Sequence, residues 1–110
     1  MMIALFWTAP LATETVEVVG RGAIDLAAFS CSDTPRSTII QRVCYDRQRN
    51  HLLVSIGGRY AEYCGLPAAT FDAFASAPSM GRFYRSGIAG AAGGGQFDCN
   101  HAAANRRTLN

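Results

Sequence analysis

Ile39-Ile-Gln-Arg-Val-Cys-Tyr45, Leu52-Leu-Val-Ser-Ile56 and Arg59-Tyr-Ala-Glu-Tyr-Cys64 are three runs whose apolar residues recur every second position. That is the period of a strand with one face turned to a core. In the first run Ile39, Val43 and Tyr45 fall on one face, and Ile40, Arg42 and Cys44 on the other. Leu52, Val54 and Ile56 form the inward set of the second. In the third, Ala61 and Tyr63 oppose Tyr60, Glu62 and Cys64. Asp46 to Asn50 is a polar connection with two arginines, and Gly57-Gly58 is a hairpin turn signal, because both positions of that turn need a positive φ. The runs are expected to form an antiparallel three-stranded meander.

Working outward, Ser32-Asp-Thr-Pro-Arg-Ser37 has the chemistry of a turn. Before it, Glu14-Thr-Val-Glu-Val-Val19 alternates like an edge strand, and Ile24 to Phe29 is read as an arm leading to Cys31. Beyond the meander, Pro67 suits the start of a helix that carries Phe71 and Phe74 on one face and stops by Pro78. Ser79 to Ile88 is a second short helical or turn segment. Residues 89–95 contain only Ala and Gly and read as a tether, leading to Phe97-Asp98-Cys99 and a polar tail from Asn100 that is expected to be disordered. The expected class is α+β: a small antiparallel meander, one or two short helices, and disulfide-clipped arms.

A chain of 110 residues, 49% hydrophobic and 16% charged, fits one domain with a thin core. The net charge of +2 names no partner, although all ten basic residues are Arg. A GC-rich genome or selection for forked contacts to oxyanions would each produce that bias. Met1 to Leu11 is apolar and ends in the small residues around Ala12. This resembles a secretory leader over residues 1–12 with its basic start missing, as a start codon placed too far downstream would leave it. The run is too short to span a bilayer, so no membrane span is expected in the mature chain. An even cysteine count in a short exported chain reads as a disulfide framework. The expected location is therefore periplasmic or secreted, with the cytoplasm as the alternative.

Cys44 and Cys64 share a face of the meander but are separated by its middle strand. Two strand spacings, roughly 9–10 Å, exceed the Cα separation of about 7 Å that a disulfide allows. Each must pair with Cys31 or Cys99. Both 31–44 with 64–99 and 31–64 with 44–99 remain open.

No residues suggest catalysis. His51 borders a hairpin and His101 lies in the tail, neither held by a third group as a catalytic base is. The four cysteines are spread singly rather than in the close pairs of a zinc site, and Gly93-Gly94-Gly95 lacks the Lys-Ser/Thr of a phosphate loop. No cofactor or metal is expected. Arg42, Arg59, Arg82 and Arg85, interleaved with Tyr60, Tyr63, Phe83 and Tyr84, form the candidate binding surface. The competing reading is a solvated rim of arginines around core aromatics. The expected function is a non-catalytic binding module with an envelope or extracellular protein as partner. The alternative is an RNA-binding module, stacking bases on the aromatics, if the chain is cytosolic.

Several of these stretches together resemble the KTSC domain, a module named from the C-terminus of some lysyl-tRNA synthetases. They are Ser37-Thr38-x-Ile40, Val43-Cys44-Tyr45-Asp46, Leu52-x-Val54-x-Ile56, Tyr60 and Tyr63 before Leu66-Pro67, and Ala77-Pro78-Ser79-Met80-Gly81-x-Phe83-Tyr84 with Ile88. The resemblance places the domain at residues 37–88, between an N-terminal strand and arm (14–36) and the tether, Cys99 clip and tail (89–110). The four cysteines, Asp33-Thr34-Pro35-Arg36 and Phe97-Asp98-Cys99 match an exported subgroup. Ala61 stands where the family has an aromatic, and Ala89 where it has a basic residue. The resemblance implies a small domain without an established activity, for which attachment to a synthetase suggests nucleic-acid binding.

Overall fold

The expected three-stranded antiparallel meander is corrected by the computed structural model, which describes residues 14–90 and 95–99. The sheet has six strands: β1 Thr15–Val18, β2 Gly22–Asp25, β3 Ser30–Asp33, β4 Ile40–Asp46, β5 His51–Ile56 and β6 Arg59–Tyr63. Their order is β2-β1-β6-β5-β4-β3, and the sheet is mixed, because β1 runs parallel to β6 through the Val18–Tyr60 pair. The physical reason lies at the edges of the β4–β5–β6 core. Its outer strands would each present a row of unpaired backbone groups, and the N-terminal segment supplies a strand to both. The stretch read as an arm, Ile24 to Phe29, thus holds the end of β2 and the turn that leads into β3. The expected leader (1–12), most of the tether and the tail from Asn100 lie outside the described residues.

β2 and β3 stand at opposite edges of the sheet, yet only a one-turn 3-10 helix, Leu26–Ala28, and Phe29 connect them. Five Cα steps reach at most about 18 Å, whereas six flat strands would hold their edges about 24 Å apart. The sheet must therefore curl toward closure. Leu26 crosses the concave face and packs with Val18, Cys44 and Leu53, flanked by Ile24, Phe29 and Tyr60. Arg42 on β4 reaches across the curl to Glu14, just before β1, with guanidinium–carboxylate contacts of 2.7 and 3.0 Å.

The opposite face carries the helices. Here α1, Ala68–Ala75, has Pro67 at its N-cap, and α2, Met80–Phe83, passes into a π-helical turn, Tyr84–Ala89. Val43, Tyr45, Leu52 and Val54 of the sheet pack against Leu66, Phe74, Met80, Tyr84 and Ile88, with Phe97 of the C-terminal segment alongside. Ile40 is fully buried in this same cluster, not on the Arg42–Cys44 face that simple alternation assigned it. A β-bulge between Ile40 and Arg42 inserts Gln41 and reverses the phase of the strand at that point. The bulge is held from both sides: the Gln41 backbone carbonyl accepts from Thr34, and its side-chain oxygen accepts from the backbone N–H of Gly58.

Both disulfides lie on the concave side. Cys31 pairs with Cys44 directly across β3 and β4, with Cα atoms 4.0 Å apart, and Cys64 pairs with Cys99, with Cα atoms 4.8 Å apart. The open choice is thereby settled as 31–44 with 64–99. The first bridge ties adjacent strands of one sheet instead of clipping an arm over it. The second anchors the C-terminal segment, which is also held by an antiparallel bridge between Tyr63 and Asp98 and by the Cys64 N–H donating to Phe97.

Candidate functional site: an arginine cleft beside α2

The turn before β4 is pinned at several points. Thr34, although polar, is buried and donates its hydroxyl to the Ile40 carbonyl, while the Ser37 hydroxyl accepts from the Ile40 N–H at 3.0 Å. Arg36 then projects to the end of α1, where its guanidinium donates to the Ala77 and Ala75 carbonyls, each at 2.7 Å. Ala75 closes α1, where a helix end leaves its carbonyls without partners, and Ala77 lies two residues beyond it. Across from this turn, the Ser79 hydroxyl accepts from the Arg82 N–H and starts α2. Arg82 and Arg85, three residues apart, sit on one side of the helical segment.

Between turn and helix lies a cleft of about 220 Å³, lined by Arg36, Ser37, Thr38, Ser79, Arg82 and Arg85 together with Ile39 and Gly81. No carboxylate of the described residues lines it. Elsewhere four of the described arginines are ion-paired: Arg21 with Glu62, Arg42 with Glu14, Arg47 with Asp72 and Arg49 with Asp46. Among the described residues Arg36, Arg59, Arg82 and Arg85 form no ion pair, and three of these four meet at this cleft.

The residues of the surface expected from the sequence are distributed over both faces of the sheet and the cleft. Tyr63 and Tyr84 hydrogen-bond to each other through their hydroxyls on the helix side of the sheet, and burial together with that bond pushes the Tyr63 phenol well above its ordinary range. Phe83 packs on Phe74, with ring centroids 5.8 Å apart. Tyr60 belongs to the concave cluster and is joined to Arg42 by a hydrogen bond of 3.3 Å. The hydrogen bonds to Glu14 and Tyr60 raise the Arg42 pKa, and the hydrogen bond from Arg42 holds the Glu14 carboxyl below its usual range. Arg59 sits at the β5–β6 hairpin beside Val19, away from the cleft. Only Arg82 and Arg85 of the expected set line it. Arg36, Ser37, Thr38 and Ser79 were not singled out as site residues. Their signal was present in another form, since the two motif halves around Ser37-Thr38 and Ser79-Met80-Gly81 converge on this cleft.

The described residues carry no catalytic signature. Both cysteine pairs are oxidised, leaving no free thiol. His51 contacts Glu62 and the ring of Phe29, with no hydroxyl nucleophile hydrogen-bonded to it. No helix in the described part is long and apolar enough to cross a membrane.

A family model described as the KTSC domain matches residues 36–91, opening on the first arginine of the cleft and closing just beyond the π-helical turn. No curated protein and no solved structure matches the chain. With more than half of its length inside that match, the chain belongs to the KTSC domain family.

Proposed function

We propose that this KTSC domain is a non-catalytic binding module of the periplasm or extracellular space, and that the arginine cleft is its recognition site for an acidic segment of a partner protein. The observation that carries this reading is the meeting of Arg36, Arg82 and Arg85 in one cleft that no carboxylate of the described residues lines. Guanidinium groups offer forked donors suited to carboxylates. A volume of about 220 Å³ is below the usual range of small-molecule pockets, about 300–1,000 Å³, and suits a single charged headgroup. Base stacking on single-stranded RNA draws less support, because Tyr63, Phe83 and Tyr84 pack in or against the helix-side core. The compartment is inferred from the two disulfides and the apolar stretch at residues 1–11.

Isotope-labelled protein titrated with a glutamate-rich peptide, and separately with a mixed-sequence single-stranded oligonucleotide, tests the reading. The peptide is expected to shift the amides of Ser37, Thr38, Arg82 and Arg85, with affinity falling as salt rises. The R82A/R85A double variant should bind it at least about tenfold more weakly. Absence of shifts at the cleft, or tight binding of the oligonucleotide with shifts centred on Arg42 and Tyr60, would refute it. Location is tested by intact mass of the periplasmic fraction, expressed with the native upstream region. Loss of the apolar stretch with all thiols blocked until reduction is the expected result.

A further inference from the structure

The concave face ends in a corner where four metal-ligating side chains meet. His51 opens β5 and stands one step beyond the Leu52–Tyr63 pair, hence opposite Cys64. Glu62 on β6 lies two residues before Cys64, which directly follows the strand. Cys99 arrives from the C-terminal segment through its disulfide. The His51 ring nitrogens, the Glu62 carboxylate oxygens and the two sulfurs each offer one donor atom, and these atoms all lie within 4.8 Å of one another.

The corner is already ordered around Glu62. Its side chain is only 8% exposed, and one of its oxygens lies 2.7 Å from His51 Nε2 and 2.9 Å from Arg21. The Phe29 ring packs on the imidazole, with centroids 5.2 Å apart. A cavity of about 270 Å³, bordered by Arg21, Glu62 and Cys99, opens beside it. Two thiolates, an imidazole and a carboxylate make a donor set of the kind zinc accepts, at about 2.3 Å from sulfur and about 2.0–2.2 Å from nitrogen and oxygen. In a tetrahedron of that size two sulfurs sit about 3.8 Å apart, and the bond between them is what holds them closer.

We propose that reduction of the Cys64–Cys99 disulfide converts this corner into a tetrahedral zinc site with Cys64, Cys99, His51 and Glu62 as ligands. A dithiol reductant breaks the S–S bond, giving up two electrons and two protons and closing its own disulfide. The two thiols formed lose their protons on binding Zn²⁺, and the imidazole binds neutral through one ring nitrogen. Two thiolates and one carboxylate against a divalent ion leave one net negative charge, which Arg21 beside Glu62 offsets. The C-terminal segment is thus tethered in both redox states, by a covalent bond in one and by a shared metal in the other.

The test uses the full chain, reduced anaerobically with dithiothreitol, desalted, and titrated with Zn²⁺ against a chromophoric chelator, with Co²⁺ as a spectroscopic probe. Reduced protein is expected to take up one zinc per chain and oxidised protein none. The cobalt form should show sulfur-to-metal charge transfer and the intense d–d bands of four-coordination. H51N and E62Q fold under both disulfides, as circular dichroism before reduction will verify, and each should weaken zinc binding at least about tenfold after it. Equal uptake by the oxidised protein, or affinity unchanged in both variants, would overturn the proposal. If reduction unfolds the chain, added zinc should restore the native spectrum, and failure to do so would also overturn it.

Discussion

Gly81 lies so close to Ile39 that a Cβ on it would stand 2.9 Å from the tip of the isoleucine and 3.2 Å from the carbon before it. This contact sets how near α2 comes to the turn before β4, and hence the width of the arginine cleft. The tip of Ile39 can swing aside for one methyl group, and alanine recovers about 1 kcal/mol of helix propensity over glycine. G81A is therefore expected to stay within about 1 kcal/mol of wild type in urea unfolding. A branched side chain has no such escape, so G81V should cost about 1–3 kcal/mol and weaken anion binding by spreading the cleft. Equal stability of the two variants would show that the contact does not position α2.

The three cleft arginines differ in a way that stability measurements separate. Arg36 donates to the two carbonyls at the end of α1, so R36A should lose about 1–2 kcal/mol as well as ligand affinity. Lysine keeps the charge without the fork, and R36K should recover little of that stability. Arg82 and Arg85 are exposed and make no side-chain hydrogen bond among the described residues. R82A and R85A should change stability by no more than about 0.5 kcal/mol while weakening the anion contact.

The Tyr63–Tyr84 hydroxyl pair predicts an alkaline limit to stability. The Tyr63 phenol is raised from 10.0 by burial first and by the hydrogen bond to Tyr84 second, and burial raises Tyr45 as well. Between the unfolded and folded pKa values the unfolded chain binds fewer protons, so stability falls as pH rises. The contribution is fully present below about pH 10, the ordinary phenol value, and is lost above it. Urea midpoints should be level from pH 7 to 9 and fall by pH 11, with a shallower fall in Y63F. An identical fall in Y63F would assign the limit to Tyr45 or to other groups.

Half of this arrangement was legible in the residues, and the rest was hidden for identifiable reasons. Leu52, Val54 and Ile56 alternate across a buried strand, and Gly57-Gly58 take the positive φ values of 60° and 81° that their tight turn needs, so β5 and its hairpin read directly. Ser30–Asp33 has no apolar alternation and becomes a strand only because β4 offers it an edge and Cys44 a bond. Without β3 the disulfide choice had no register to rest on. Ile40 changes face at a bulge that leaves no sequence signal. The aromatics read equally as a binding surface or as core, and alternation about one buried face could not divide them between two faces. The sheet buries both, and Tyr60 goes to one while Tyr63, Phe83 and Tyr84 go to the other. Arg82 and Arg85 were legible as basic, but their convergence with Arg36 depends on a contact across 41 residues.

The two disulfides should open in a fixed order. Of the first bridge only Cys31 is partly exposed and Cys44 is wholly buried, whereas both Cys64 and Cys99 are partly exposed, and Cys99 borders the cavity next to Glu62. Exchange requires a thiolate to reach a sulfur, so limiting dithiothreitol followed by alkylation should label Cys64 and Cys99 before Cys31 and Cys44. Peptide mapping by mass spectrometry reads the order directly. Chain-entropy reasoning adds a thermodynamic side, since separations of 13 and 35 residues correspond to about 3 and about 4 kcal/mol. The longer closure also keeps Phe97, only 9% exposed, seated in the helix-side core. C64A/C99A should therefore destabilise the chain more than C31A/C44A does through loop closure alone. Early labelling of Cys31 and Cys44 would instead mean that the β3 edge opens more readily than the C-terminal segment, and that the concave face is least stable where its sheet was closed by the N-terminal strand.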